Sequence, residues 1–236
     1  MNNWKEILMD KPGQFETKYV FNNFTTAKVI SWLSSRCGQD PGFPCGIVSS
    51  TYFDTRNWKY LNEKVNSDYL KTKVRLRRYY CLDGNKQGDK SFLEIKFRTG
   101  SKRKKIRIER DYDWLLNTPL ESLDFMSVSD ALIKEGIFLR DMIFPVFQIQ
   151  YKRRRFIDPV TGMRLSVDYD IHVPRINRMM VKKTNPFTLD HSVFEVKGND
   201  FVLPDNLQQL TAFGCRKQSF SKFYACYNNL MQNGLN

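Results

Sequence analysis

The sequence predicts an α+β fold: an antiparallel eight-stranded β-barrel with flanking helices and a closing C-terminal helix. Three observations carry that expectation. About eight stretches alternate apolar and polar residues with period two, which sends successive side chains to opposite faces of a sheet. Turn residues such as Asp83-Gly84-Asn85 and Thr99-Gly100 fall in the gaps, so neighbouring strands pair as hairpins. Several polar faces are densely cationic, and a small barrel separates one inner face from one outer face. No internal repeat or composition break divides the chain, so residues 1–236 read as a single domain.

Taken in order, Met1–Gly13 is a lead-in with Trp4, Ile7 and Leu8 as packing handles. Phe15–Phe21 is the first strand, with Glu16 and Lys18 on one face and Phe15, Thr17, Tyr19 and Phe21 on the other. Thr25 or Thr26 is placed as a helix N-cap. The helix behind it carries Val29, Ile30, Trp32 and Leu33 and stops near Gly38. Pro41–Gly46 is a loop, Ile47–Phe53 a strand, and Asn57 to about Val65 a short helix packing through Trp58, Tyr60 and Leu61. Lys71–Arg77 then sets Lys71, Lys73, Arg75 and Arg77 at every second position. Phe92–Arg98 opposes Glu94, Lys96 and Arg98 to Leu93, Ile95 and Phe97, and Lys105–Glu109 repeats the pattern. Pro119–Glu135 reads as a helix with Leu120, Leu123, Ala131, Leu132 and Ile133 as its apolar set, ended by Gly136. Val146–Ile157 is a strand whose alternation leaves open which of Arg153, Arg154 and Arg155 face inward. A hairpin loop over 158–162 leads into Met163–Ile171, where Arg164, Ser166, Asp168 and Asp170 face one way. A loop with Pro174 and Pro186 precedes the last strand, Ser192–Lys197. A helix from Pro204 to Gly214 follows. The final helix, after Ser219, carries Ser221 and Lys222 in its first turn.

The chain holds 38 Lys and Arg against 25 Asp and Glu, a formal charge of +13, which points to nucleic acid, an anionic membrane surface or a phosphorylated ligand. Two like charges about 5 Å apart repel by roughly 3 kcal/mol at an effective dielectric of about 20. Rows of Lys and Arg on adjacent strands therefore need bulk water or an anion. On a flat sheet they would be a solvated outer face; in a closed barrel they would line a polyanion site, and the later charged strands favour the barrel. No RRM, KH or helix-turn-helix signature supports nucleic acid. Cys37, Cys45, Cys81, Cys215 and Cys226 are scattered and odd in number, which argues against a disulfide framework or structural zinc and for a reducing compartment. His172 and His191 stand alone. The N-terminus lacks an apolar signal region, and no apolar run approaches ~20 residues, so the expected location is cytoplasmic.

A cationic interior with a few carboxylates suits phosphoryl chemistry, which is largely positioning and charge stabilisation. The carriers are Glu16-Thr17-Lys18-Tyr19, Tyr52-Phe53-Asp54-Thr55, Lys73-Val74-Arg75-Leu76-Arg77, Phe92-Leu93-Glu94-Ile95-Lys96, Lys105-Ile106-Arg107, Tyr151-Lys152-Arg153, Arg164 through Asp168, Phe194-Glu195-Val196-Lys197 and Ser219 through Phe223. In that order they resemble the triphosphate tunnel enzymes, in the branch built on the VTC polyphosphate polymerase domain. The resemblance implies an eight-stranded antiparallel tunnel barrel that takes ATP and polyphosphate. It implies catalytic phosphate contacts from Lys18, Arg75, Arg77, Lys96 and Arg164. It adds substrate contacts from Lys73, Lys105, Arg107, Arg153, Lys197, Ser221 and Lys222. Glu195 would be the principal ligand of Mn²⁺ or Mg²⁺, with Glu16 and Glu94 either assisting or serving as ion-pair partners to nearby lysines. The implied reaction moves the terminal phosphoryl group of ATP onto a polyphosphate chain, with no nucleic acid involved. A membrane partner, if the chain works beside one, would be a separate polypeptide at the inner face. The alternatives are a triphosphate or polyphosphate hydrolase of the same superfamily and a non-catalytic binder of polyphosphate or inositol polyphosphate. Gln14 stands where the branch has Arg, and only Glu16 and Lys18 remain of the Glu-x-Glu-x-Lys start of more distant tunnel enzymes, which weighs against a triphosphatase.

Overall fold

The structure, a computed structural model, describes residues 5–9, 15–80, 90–109, 111–115, 117–181, 187–198 and 203–233. Trp4, Gln14, Cys81, the Asp83–Asn85 turn and Pro186 lie outside them. Among the described residues, twelve strands and four α-helices follow one another. The strands are β1 (Lys5–Met9), β2 (Phe15–Asn22), β3 (Gly38–Gln39), β4 (Cys45–Asp54), β5 (Leu70–Tyr80), β6 (Lys90–Thr99), β7 (Lys102–Glu109), β8 (Phe144–Ile157), β9 (Arg164–Ile176), β10 (Phe187–Thr188), β11 (His191–Gly198) and β12 (Arg216–Lys217). The helices are α1 (Thr26–Arg36), α2 (Lys59–Val65), α3 (Met126–Lys134) and α4 (Lys222–Asn233).

All strands belong to one antiparallel sheet with the order β1-β7-β6-β5-β4-β8-β9-β11-β2-β12; β10 and β3 attach to β9 and β8. The expected eight-stranded closed barrel is thus corrected in two respects. The sheet has twelve strands, and among the described residues its hydrogen bonds do not close from β1 to β12. β1 pairs with β7 inside the stretch read as a lead-in, from Lys5↔Ile108 to Met9↔Lys104.

Curvature replaces closure. The outer face of β5–β7 buries Val74, Leu76, Leu93, Ile95, Ile106 and Ile108 beneath Tyr112, Leu115, Leu120, Phe125, Val128 and Leu132. The outer face of β2, β9 and β11 buries Tyr19, Phe21, Leu165, Val167, Phe194 and Val196 beneath α1 and a 3₁₀ helix over Asp205–Phe213. Each such side chain contributes about 1.5–3 kcal/mol of burial. Covering the outside on both flanks leaves the polar residues no face but the inner one.

Local chemistry accounts for the departures from the expected elements. Gly100, at φ +59, makes the tight β6–β7 turn. Thr25 occupies the N-cap position of α1, yet its hydroxyl donates back to the Asn22 carbonyl at 2.8 Å. The helix expected from Pro119 begins only at Met126, after a 3₁₀ turn over Leu123–Phe125 capped by Ser122. Two of its expected core residues, Leu123 and Ile133, are exposed. In β9 the alternation breaks at Asp170, which adopts φ 51, where the pairing with β8 shifts register. Asp170 therefore pairs with Lys152 at 2.8 Å on the outer side, and Ile171 turns into the interior. Pro174, expected in a loop, lies inside β9.

Candidate functional site

Register places the charged residues on one continuous face. Arg75 sits opposite Glu94, and Glu94 opposite Arg107; Lys73 sits opposite Lys96, and Lys96 opposite Lys105. Farther along the sheet, Arg153 faces Asp168, and Glu195 faces both Ser166 and Lys18. Strands β6 and β2 are separated by β5, β4, β8, β9 and β11 in the sheet order, yet Lys96 on β6 helps to hold Glu16 on β2 ionised. Lys73 on β5 is likewise repelled by Lys18 on β2 and Lys222 on α4. Charges with four or five strands between them in the sheet interact this way only if the face curls on itself into a bore.

One wall of that bore is β5, β6 and β7, and its centre is Glu94, which is 1% exposed. Arg75 donates Nε and Nη2 to Glu94 Oε2 at 2.8 and 2.6 Å. Arg107 donates the same pair of atoms to Oε1 at 3.0 and 2.9 Å. Lys105 Nζ lies 2.7 Å from Oε1, and Arg77 Nη1 lies 3.7 Å from Oε2. Burial alone would raise the Glu94 pKa, but Arg75, Arg77 and Lys105 hold it well below the usual carboxylate range. Arg77 also donates to Ser50 Oγ at 3.0 Å. Of the two roles left open for Glu94, the geometry fits the ion-pair partner, because Arg75, Arg107 and Lys105 hold its two oxygens at 2.6–3.0 Å, closer than the 3.1–3.6 Å at which cations approach Glu195.

The other wall joins β2, β8, β9, β11 and the start of α4. Arg153 forks onto Asp168 at 2.5 and 2.6 Å and reaches Glu195 Oε2 at 3.1 Å. Lys222 bridges Asp168 at 2.6 Å and Glu195 at 3.3 Å. Lys18 lies 3.0 Å from Glu16 and 3.6 Å from Glu195. Burial pushes against ionising Glu195, and Lys222, Arg153 and Lys18 overcome it. For Glu16, burial and the Glu195 charge push upward, but Lys18, Lys197 and Lys96 bring it down to about 2. Lys222 is driven upward, because Asp168 and Glu195 outweigh its own burial.

Of the other expected site residues, Lys197 reaches Glu16 at 3.7 Å, and Arg164 is exposed at the rim, opposite Lys197 in the ladder. Ser221 stands just before α4, its Oγ 3.4 Å from the Tyr224 amide. In the arginine run Arg153 faces inward opposite Asp168, and Arg155 lies on the same face opposite Ser166, 5.9 Å from the Tyr79 ring centroid. Asp168 was present in the motif but not among the candidate site residues, although it anchors two cations; its buried ion pairing with β8 leaves no trace in the sequence beyond alternation. Tyr79 was also missed: Arg77 brings its pKa down to about 8 against the upward push of burial.

Helix α4 fills one end of the bore. Phe223 stacks on Tyr52 with centroids 4.8 Å apart and packs against Phe147 at 5.1 Å. Cys226 and Leu230 join Ile149, Tyr151 and Val193 in the same cluster. Among the described residues no three His, Cys, Asp or Glu side chains group as a metal site. Among the described residues no helix is long and apolar enough to cross a membrane.

A single antiparallel sheet curled around a cationic bore, with carboxylates set among the cations, defines a triphosphate tunnel protein. The family model of the VTC domain matches residues 14–231, and the chain belongs to that family. No curated protein matches the sequence. A candidate adenylate cyclase from Bacillus halodurans is similar in structure, with a TM-score of 0.51 at 14% identity over 89% of this chain and 95% of that one. At that identity the likeness establishes the shared fold. A candidate adenylyl cyclase from Hippeastrum, described as having a dominant triphosphatase activity, gives 0.49 at 14% over 92% and 96%.

Proposed function

We propose that this chain is a polyphosphate polymerase-like phosphotransferase that moves the terminal phosphoryl group of ATP to a polyphosphate chain inside the bore. The observation that supports it is the self-facing cationic surface, on which Lys and Arg outnumber the carboxylates. A guest rich in phosphate neutralises such a surface, and Arg does so through paired donors. Arg75, Arg77, Arg107, Lys105 and Lys96 would spread the charge of the transferring group, and Lys18, Arg153 and Lys222 would orient the chain beside it. Among the described residues no three ligands gather into a protein-only metal cage. Mg²⁺ is commonly held by one or two carboxylates together with substrate phosphates. Glu195 with Glu16 supplies that donor set for Mg²⁺ or Mn²⁺, and the ion would neutralise phosphate oxygens. Residues 1–236 would act as one domain.

The packing of α4 into one end of the bore favours a second reading, in which the guest is short and the chain hydrolyses or only holds a triphosphate. Incubating the purified protein with ATP and Mn²⁺ tests both. Long chains on a polyphosphate-stained gel support synthesis, and free phosphate alone supports hydrolysis. Tight tripolyphosphate binding with neither product supports a holder. Glu195→Gln is expected to remove metal-dependent turnover, and full turnover in that variant overturns the metal assignment.

A further inference from the structure

Helix α3 buries one side against the sheet and leaves the other bare. Phe125, Val128, Ala131 and Leu132 join the core on the outer face of β5–β7. At 3.6 residues per turn the opposite line of the helix carries Met126, Asp130 and Ile133. Past the Gly136 turn, Ile137 and Leu139 pack back onto the core, which leaves Phe138 and Arg140 pointing outward. Met126, Ile133 and Phe138 are each more than half exposed. Single exposed apolar residues are ordinary, but several on one face of one segment mark an interaction surface. The exposed charges around them are Asp124 and Asp130 toward the N-terminal end, and Lys134 and Arg140 toward the C-terminal end. Asp141 is already paired with Lys59 at 2.6 Å, whereas among the described residues none of those four has an ion-pair partner within 4 Å.

We propose that this face docks a second copy of the chain, with the two α3 segments antiparallel across a two-fold axis. Such an interface must be complementary to itself: whatever contact one copy makes, the other returns. The order of the exposed residues meets that condition. Asp124 falls opposite Arg140 of the second copy, Asp130 opposite its Lys134, and Met126 opposite its Phe138. All three pairs are centred on Leu132, so a single axis serves them, and it brings the two Ile133 side chains together in the middle. A parallel alignment would set like charge on like. Charge also favours a second copy over other occupants. The chain carries +13, and two copies repel through most of their surface. The four unpaired charges on this face are balanced, so it offers neither a cationic patch to an anionic membrane nor an acidic one to a basic protein. The contact lies outside β5–β7, away from the bore, and does not rest on the phosphate-chain reading. A face of this size implies reversible association in the micromolar range.

Sedimentation equilibrium of the full chain at physiological salt reads its mass as concentration rises through the micromolar range. A species of twice 28.0 kDa is expected to build up. Ile133→Asp should leave the melting temperature nearly unchanged, because the side chain is exposed, and should abolish the dimer. Asp130→Lys and Lys134→Glu should each weaken self-association about tenfold or more, because like charges then meet across the axis. Mixing these two variants should restore a dimer, since every charged pair between them again joins opposite signs. A monomer at every concentration overturns the proposal, and so does a dimer that survives Ile133→Asp. Failure of the mixed variants to pair overturns the antiparallel register and the proposal with it. Binding of a monomeric chain to phosphatidylserine vesicles or to a Lys-rich amphipathic peptide, lost in Ile133→Asp, gives the face to a different occupant and overturns the second copy. None of these readings involves a phosphate guest, so the proposed function is tested separately.

Discussion

The two walls of the bore are built from the same residue types and differ in their internal neutrality. On β5–β7 Glu94 serves Arg75, Arg77, Lys105 and Arg107, while among the described residues no carboxylate lies within 4 Å of Lys73 or Lys96. On the opposite wall Asp168, Glu195 and Glu16 hold Arg153, Lys222, Lys18 and Lys197 in a closed network. The first wall is short of negative charge and the second is close to balanced. Identical alternation in sequence can therefore produce either an anion receptor or a rigid strut, depending on how many carboxylates the neighbouring strands contribute.

The largest expected effect comes from removing Glu94, the buried carboxylate at the centre of the cationic wall. Glu94→Gln leaves buried cations uncompensated, a change that costs about 3–5 kcal/mol. The melting temperature should fall by about 10 °C, and tripolyphosphate should recover more of it than it adds to the unaltered protein. Equal recovery in both proteins would show that the guest does not contact this wall. Next in size is Arg75→Ala, which deletes a buried charge pair facing the bore. Tripolyphosphate affinity is expected to fall about 100-fold, corresponding to roughly 3 kcal/mol, as measured by calorimetry.

How much of this contrast was legible in the sequence depends on the range of the signal. The strands carrying Lys73, Arg75, Glu94, Lys96, Arg153 and Glu195 could be read because period-two alternation is local. The two-residue strands β3, β10 and β12 could not, since two residues have no period. The Asp170 bulge was hidden because a left-handed residue inside a strand reverses the alternation without changing composition. Helix α3 starts late because Leu120 is buried through a non-helical segment, and Leu and Ile at 123 and 133 look like core in any window. Partner choice was least legible: nothing local says that Glu94 serves four cations or that Asp168 takes Arg153 and Lys222.

A third prediction separates the walls by pH. The folded-state pKa of Lys73 is lowered to about 7, below its unfolded value of about 10.4, so the unfolded chain binds more protons between those limits. This lysine therefore adds stability as pH rises from about 7 toward 10. The balanced wall behaves differently. Glu16, brought down to about 2, contributes stability above pH ~4.3 that is lost as pH falls toward about 2. Lys18 and Lys222, both raised, contribute below pH ~10.4 and lose their effect only above it. Between pH 7 and 9 the unaltered protein should gain roughly 5 °C in melting temperature relative to Lys73→Met. Parallel melting curves for the two proteins would remove the asymmetry.

The smallest effect is expected at Arg164, and it is the sharpest check on the site drawn from motif order alone. By family likeness Arg164 counts among the catalytic phosphate contacts with Arg75. In the sheet it occupies the first position of β9, exposed at the rim. An exposed cation there gains little from a bound anion, because water and salt screen it; such interactions amount to about 0–1 kcal/mol. Arg164→Ala should therefore weaken tripolyphosphate binding by no more than about fivefold at physiological salt, with the effect vanishing as salt rises. A loss as large as that for Arg75→Ala, surviving high salt, would mean that the guest extends out to the β8–β9 end and that Arg164 folds inward over it. The bore would then be longer than its buried charges suggest, and the guest would run along the balanced wall as far as its rim.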